Sequence, residues 1–184
     1  SDTCELWRII GVFNNIEKED GTKKNLIKIV RNDSIGEYSW DYKSGGSSSN
    51  DWTKSTLQQL LNSGAYYKRM SDFYYNDSST ATEIDLSNSG LKNDSTKNAI
   101  ETVAWNLGSS STYNDVNTEM FYSRERNTNS ASNVSTKWNG KIALIYPSDY
   151  GYSTSGGAKS NRNICIQENL YYWNNDSISY CKDN

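Results

Sequence analysis

Apolar residues bunch at the start of the chain. Trp7, Ile9, Ile10, Val12 and Phe13 form one β-branched and aromatic run within residues 4–13; Leu26, Ile27, Ile29 and Val30 form another within 25–31. The polar stretch between them carries an Asp20-Gly21 turn signal, so the two runs predict an antiparallel hairpin with a longer loop. Leu26, Lys28 and Val30 alternate with Ile27, Ile29 and Arg31, which predicts one face more buried than the other. Residues 37–42 read as a short third strand, and the Gly/Ser-rich stretch 44–50 as a flexible loop.

The period then changes. Asn50 or Asp51 caps a predicted helix running to Asn62, with Leu57, Leu60 and Leu61 at helical spacing and Gly64 as its stop. The clearest helical pattern starts at Asp94, where Ile100, Val103, Ala104 and Leu107 fall at i, i+3, i+4 and i+7 and Gly108 follows as the residue after the cap. A third helix is expected over 114–126 with Val116, Met120 and Phe121 inward. Residues 141–146 read as an apolar strand ended by Pro147. Residues 148–157 read as loop, and 169–175 are aromatic and polar without a clean period. No internal repeat is visible. The pattern describes one α+β domain, 1–184, and 184 residues suit a single core.

Composition sharpens the C-terminal half. Only 34% of the residues are apolar, yet there are 14 Tyr and 6 Trp, so the core leans on rings that carry a polar tip. Trp7, Trp105 and Trp138 read as core. Tyr150, Tyr152, Tyr171, Tyr172, Trp173 and Tyr180 crowd the last 35 residues among Asn, Ser and Gly. Rigid amphipathic rings beside small adaptable polar groups suit a recognition surface. These six are the candidate ligand-binding residues; packing of an irregular segment is the competing explanation.

Charge and missing residue types exclude several functions. The net charge is −3 with no long run of one sign, so the concentrated Lys/Arg that nucleic acid requires is absent. No apolar stretch reaches the ~18 residues of a membrane span. The chain opens at Ser1 without Met or signal peptide, which predicts a processed or trimmed form. There is no His, which removes the usual general base, the Ser-His-Asp and Cys-His nucleophile systems and nearly all zinc sites. Carboxylate pairs for glycoside hydrolysis remain open among Glu5, Glu37, Asp41, Asp51, Glu83, Asp85, Glu101, Glu119, Glu125 and Asp149, with nothing in the sequence joining any two. No cofactor is expected. Calcium is the one metal weighed, from the oxygens of Asn76-Asp77, Asn93-Asp94 and Asn174-Asn175-Asp176, with Asp176 the best single candidate. Arg124-Glu125-Arg126 reads as a structural ion-pair network. Of the three cysteines, Cys165 and Cys181 are read as a disulfide over buried thiols, because the loop between them is polar and lacks a helical stripe; closing it contributes roughly 3 kcal/mol in the chain-entropy model. Cys4 is then odd, either buried and free or paired outside the chain.

Several blocks together resemble a domain of exported proteins of Firmicutes and related bacteria. They are Leu6-Trp-Arg-Ile-Ile-Gly-Val-Phe13, Ile29-Val-Arg-Asn-Asp-Ser-Ile-Gly36 with Tyr38-Ser-Trp40, Asn50-Asp-Trp52 with Leu57-Gln-Gln-Leu-Leu-Asn62, and Gly90-Leu91 with the stretch to Trp105. The most specific is Trp138-Asn-Gly-Lys-Ile-Ala-Leu-Ile-Tyr-Pro-Ser-Asp-Tyr-Gly-Tyr152. Such prepilin-like or cell-wall surface proteins are similar to C-type-lectin-like folds, including the formylglycine-generating-enzyme group. The resemblance implies a small twisted antiparallel sheet flanked by two or three helices, a long irregular C-terminal half that holds the ligand surface, and further strands beyond Asn184. The Cys165/Cys181 spacing does not reproduce the catalytic cysteine pair of formylglycine-generating enzymes, so the resemblance implies no activity. The expected function is an extracellular binding or adhesion module at the bacterial cell surface, for a glycan or protein partner. The alternative is a structural subunit of a type IV pilus-like filament (a minor pilin), and a carboxylate-based glycosidase ranks third.

Overall fold

A computed structural model describes residues 6–43, 46, 48–91, 94–108, 110, 112, 114–127 and 134–183, apart from the side chain of Asp176. Cys4, Glu5, Asn93 and the Asp176 carboxylate therefore lie outside the described residues. Among the described residues the architecture is mixed α and β, with three two-stranded sheets and several short helices. The chain divides into two compact units, Ser1–Trp105 with Trp138–Ala143, and Asn106–Lys137 with Leu144–Asn184.

In the first unit the hairpin forms as the pattern requires, but longer. β1 (Trp7–Glu17) pairs antiparallel with β2 (Lys23–Arg31). Asn15 takes a left-handed φ of 57° where the register shifts, and its N–H donates to the Asn25 side chain. This bulge absorbs the odd residue, so pairing continues to a tight turn in which Asp20 accepts from the Thr22 N–H at 2.9 Å and Gly21 sits at φ 78°. Leu26, Lys28 and Val30 form the half-buried face, where the Lys28 ammonium lies over the Phe13 and Trp105 rings at 5.5 and 5.3 Å. The opposite face exposes Ile9, Val12, Ile27 and Ile29.

No strand forms at 37–42. Its backbone groups are instead met by side chains: the Ser39 N–H donates to Asn76 at 2.6 Å, Asn76 donates to the Glu37 carbonyl, and the Tyr74 hydroxyl donates to the Ser39 carbonyl. A 3-10 turn, Trp52–Lys54, and α1 (Thr56–Asn62) follow, capped by Asp51 and Ser55, with Leu57, Leu60 and Leu61 buried. With Ala65 and Tyr66 of α2 (Ala65–Lys68), Tyr74, Leu86 and Leu91, they are among the buried residues of this unit. β3 (Ser71–Tyr74) and β4 (Thr82–Asp85) make the second sheet.

The clearest predicted helix is cut short. α3 spans Asp94–Ala99 only, and Val103–Asn106 is a strand, β5, paired with β6 (Lys137–Gly140). The Lys141 ammonium donates to the carbonyls of Lys97 and Ile100, satisfying the helix end that the apolar period would have extended. The Trp105 indole then donates to the Gly140 carbonyl at 3.0 Å. The predicted strand 141–146 is not a strand either. The Asn62 carboxamide brackets Ile142, accepting from its N–H and donating to its carbonyl at 2.9 Å each, and so takes the place of a neighbouring strand. Trp7, Trp105 and Trp138 are half-buried rather than core. In this unit Trp52 is a buried indole, 5.4 Å from Trp40 and 5.8 Å from Trp138.

The second unit is helical where an irregular segment was expected. α4 (Thr118–Glu125) is capped by Asn117, and its buried residues are the polar Thr118 and Glu125, whereas Met120 faces solvent and Phe121 is half-buried. Pro147 does not end a strand; it opens α5 (Pro147–Ser153) at the first helical position. α6 (Lys159–Gln167) and two 3-10 segments, Leu170–Asn174 and Asp176–Lys182, complete it. The Cys165–Cys181 disulfide is present, and with Trp173 it forms a buried cluster against Tyr150, Leu170, Ile178 and Tyr180. Among the described residues no helix is long and apolar enough to cross a membrane.

Candidate functional site

The second unit gathers its chemistry where α4 meets α5. Thr118 and Glu125 are seven residues apart on α4 and share its buried face. A Cβ on Gly151 of α5 would collide with the Thr118 side chain, so only glycine lets the two helices approach here. Glu125 then reaches the start of α5. Its carboxylate accepts from the Ser148 N–H at 2.9 Å and from the Ser148 hydroxyl, and the Arg126 guanidinium lies 3.3 Å away. The capping residue of α5, Tyr146, offers no side-chain cap, so Glu125 supplies one from the neighbouring helix.

Burial sets the ionisation here. Removal from water pushes the Glu125 carboxyl above its ordinary value, against the opposing Ser148 hydrogen bonds and Arg126, and the nearby Asp149 charge pushes the same way. Burial also raises the Tyr146 phenol to about 12, while its hydroxyl donates to the Asn106 carbonyl at 2.8 Å. Glu125 and Asp149, two of the ten acids open in the sequence, are thus brought within electrostatic reach of each other. Glu125 has both oxygens committed to Ser148 and Arg126, an arrangement that suits a cap rather than a proton donor to substrate.

On the outer side of this scaffold stand two tyrosines. Tyr122 and Tyr152 are exposed and meet edge to face, centroids 6.1 Å apart. Arg126, one helical turn after Tyr122, has its guanidinium carbon 3.7 Å from the ring centroid and donates to the Tyr122 carbonyl at 3.1 Å. Arg162 of α6 donates to the Tyr152 carbonyl at 2.8 Å. Partial burial raises the Tyr152 phenol; Glu119 and Tyr122 add to the rise, and Arg126 and Arg162 oppose it.

The six aromatic residues predicted to bind ligand therefore separate. Trp173 is 1% exposed and Tyr150 lies 5.5 Å from it; with Tyr180 they pack the disulfide core. Tyr152, Tyr171 and Tyr172 are exposed, the last two as a ring pair 5.3 Å apart. The sequence pattern singles out neither Tyr122 nor Arg162, and it gives Arg126 only an ion-pair role. The Tyr122/Arg126 spacing of four on a predicted helix was the available signal. Arg124-Glu125-Arg126 is structural in part, as expected: Arg124 donates to Ser110 and Thr112, and Glu125 pairs with Arg126.

For calcium, the backbone placement of 174–176 gives Asn175 a capping role, accepting from the Ser177 N–H at 3.1 Å, and Asn76 is held by Ser39 and Glu37. Among the described residues no group of three or more His, Cys, Asp or Glu stands ready for a metal. Compared with protein-family models, curated proteins and solved structures, the chain matches none.

Proposed function

We propose that this chain is a non-catalytic, C-type-lectin-like binding module of an exported bacterial surface protein, and that it recognises a saccharide on the face formed by Tyr122 and Tyr152. One observation carries the reading: two exposed rings meet edge to face, with a guanidinium over one of them that is paired with Glu125 of a buried polar scaffold. Sugar rings present C–H faces that pack on aromatic faces, and pre-ordered rings lower the entropic cost of capture. The disulfide fits an oxidising, extracellular compartment. Tyr171 and Tyr172 offer a second exposed pair for a longer ligand. The test is binding of the folded protein to a glycan array beside its Tyr122→Ala and Tyr152→Ala variants. Wild-type binding that both variants lose supports the reading, and binding unchanged by either removes it.

A second reading, a structural subunit of a pilus-like filament, draws on the hairpin. Ile9 faces Ile29 and Val12 faces Ile27 across the two strands, an exposed apolar patch that suits packing of a neighbouring subunit. Concentration-dependent assembly abolished by Ile27→Lys supports it; a monomer at all concentrations counts against it.

A further inference from the structure

We propose that Glu125 is a proton-operated latch on the Tyr122–Tyr152 face. As a carboxylate it holds Arg126 against Tyr122; on taking up a proton it lets Arg126 go, so the face is ordered for binding at neutral pH and loosened in acid. The inference rests on the saccharide reading of this face and adds its regulation. A single nitrogen makes the connection. Arg126 Nη1 donates to Glu125 Oε2 at 3.3 Å and to the Tyr122 carbonyl at 3.1 Å. The guanidinium carbon stands 3.7 Å from the Tyr122 ring centroid and 5.6 Å from that of Tyr146. The carboxylate end of this link is buried, with 6% of the Glu125 side chain exposed, whereas 27% of the Arg126 side chain meets solvent. Arg126 thus joins a buried scaffold to an exposed ring.

The two Glu125 oxygens have different partners. Oε1 accepts from the Ser148 N–H at 2.9 Å; Oε2 accepts from the Ser148 hydroxyl and from Arg126. A proton on Oε2 turns that oxygen into a donor towards the Ser148 hydroxyl, which accepts as readily as it donates. The Ser148 N–H keeps Oε1, so the cap of α5 survives. Arg126 has only donors, so it is the partner the proton displaces. The charged and titratable groups around Glu125 set where this happens. Asp149 of α5 is a second buried carboxylate, Tyr146 is a phenol pushed up to about 12 and therefore neutral, and Arg126 is the cation. α6, which also packs on α4, carries Lys159 and Arg162, the latter tethered to the Tyr152 carbonyl. α4 itself carries Glu119 and Arg124, and Arg124 is bound to Ser110 and Thr112. Burial, and after it the Asp149 charge, hold the Glu125 carboxyl above its ordinary value against Ser148 and Arg126, which moves the release from the ordinary carboxylate range towards neutrality. Loosened rings cost more entropy to capture a ligand, so affinity falls in acid.

The experiment is nuclear magnetic resonance of protein carrying isotope-labelled tyrosine rings and glutamate carboxyls, titrated from neutral pH down through the ordinary carboxylate range. Wild type, Glu125→Gln and Glu119→Gln are compared, each checked for folding by circular dichroism. In wild type the Tyr122 ring and the Glu125 carboxyl should titrate with one midpoint, above the ordinary range. Glu125→Gln should flatten the Tyr122 curve. Glu119→Gln, which removes another carboxylate acting on Tyr152, should leave it in place. If Glu125→Gln does not fold, the shared midpoint in wild type decides. The oligosaccharide selected on the array at neutral pH should bind about fivefold or more weakly below that midpoint, the lower end of the usual coupling between linked sites. A Tyr122 ring that does not titrate, a midpoint that differs from that of Glu125, a curve that survives Glu125→Gln, or saccharide binding unchanged across the midpoint overturns the inference and leaves the saccharide reading standing. A shared titration in a protein that binds no saccharide supports the latch and overturns the saccharide reading.

Discussion

The two units hold themselves together by different means. The first buries aliphatic and aromatic side chains, Leu57, Leu60, Leu61, Leu86, Leu91, Tyr66 and Trp52, and its helix starts are capped from within the local chain by Asp51 and Ser55. The second buries Val116, Trp173 and a disulfide among Thr118, Glu125, Ser148, Asp149 and Thr154. Thr154 donates to the Cys181 carbonyl at 2.6 Å, and Glu125 caps a helix it does not belong to. Apolar side chains make up most of the first core, with Asp41, Asp51 and Ser55 as its buried polar residues. The second depends on a covalent cross-link and on polar groups finding distant partners, and this polar framework is what fixes the tyrosine face.

The contrast can be broken from the second unit first. Trp173→Ala removes the only large ring wholly buried there among the described residues and should cost about 3–5 kcal/mol, typical of aromatic truncation in a core. Denaturant unfolding followed by the near-ultraviolet signal measures it. A loss below about 1 kcal/mol would mean that this cluster is not a core, given the usual range for buried residues. Reduction of Cys165–Cys181 should come next, at roughly 3 kcal/mol for the closed loop. Hydrogen exchange should then accelerate in α6 and the two C-terminal 3-10 segments while α1 keeps its protection. Equal acceleration in α1 would erase the distinction between the units.

The smallest effect has opposite signs in the two units. Asp41 and Glu125 are both buried carboxylates. Burial alone would raise Asp41, but the N–H groups of Ser49 and Thr56 with the Lys43 ammonium reverse that and leave it below its ordinary value. Its contribution is therefore present above the ordinary carboxylate range and is lost as pH falls through the lowered value. Glu125 is raised, so its contribution is complete below the ordinary range and is lost as pH rises through the raised value. On acidification from neutrality the first unit should weaken and the second should gain. Asp41→Asn should flatten the acid-side loss in hydrogen exchange of α1, and Glu125→Gln should flatten the gain in α5. Parallel profiles in the two units contradict this assignment.

The same difference decides what the sequence reveals. The hairpin and the Leu57/Leu60/Leu61 helix were legible because apolar spacing alone determines them. The Asp94 helix period runs through Val103, which is instead the first residue of β5 and bridges to Lys18, and Lys141, 44 residues from Lys97, ends the helix. The strands expected at 37–42 and 141–146 failed for a related reason: Asn76 and Asn62 replace strand hydrogen bonds with side-chain amides, and no local pattern announces that. At the candidate site, aromatic enrichment pointed to the second unit but could not separate Trp173, inside, from Tyr152, outside. Tyr122 lay beyond the enriched segment and entered only through helix packing.

The most direct test of the saccharide face is nuclear magnetic resonance of protein carrying isotope-labelled tyrosine rings, titrated with the oligosaccharide that binds best on the array. The account predicts shifts at Tyr122 and Tyr152, larger than any at Tyr150 in the disulfide core. Shifts confined to Tyr171 and Tyr172, or spread evenly over all the tyrosines, would contradict it.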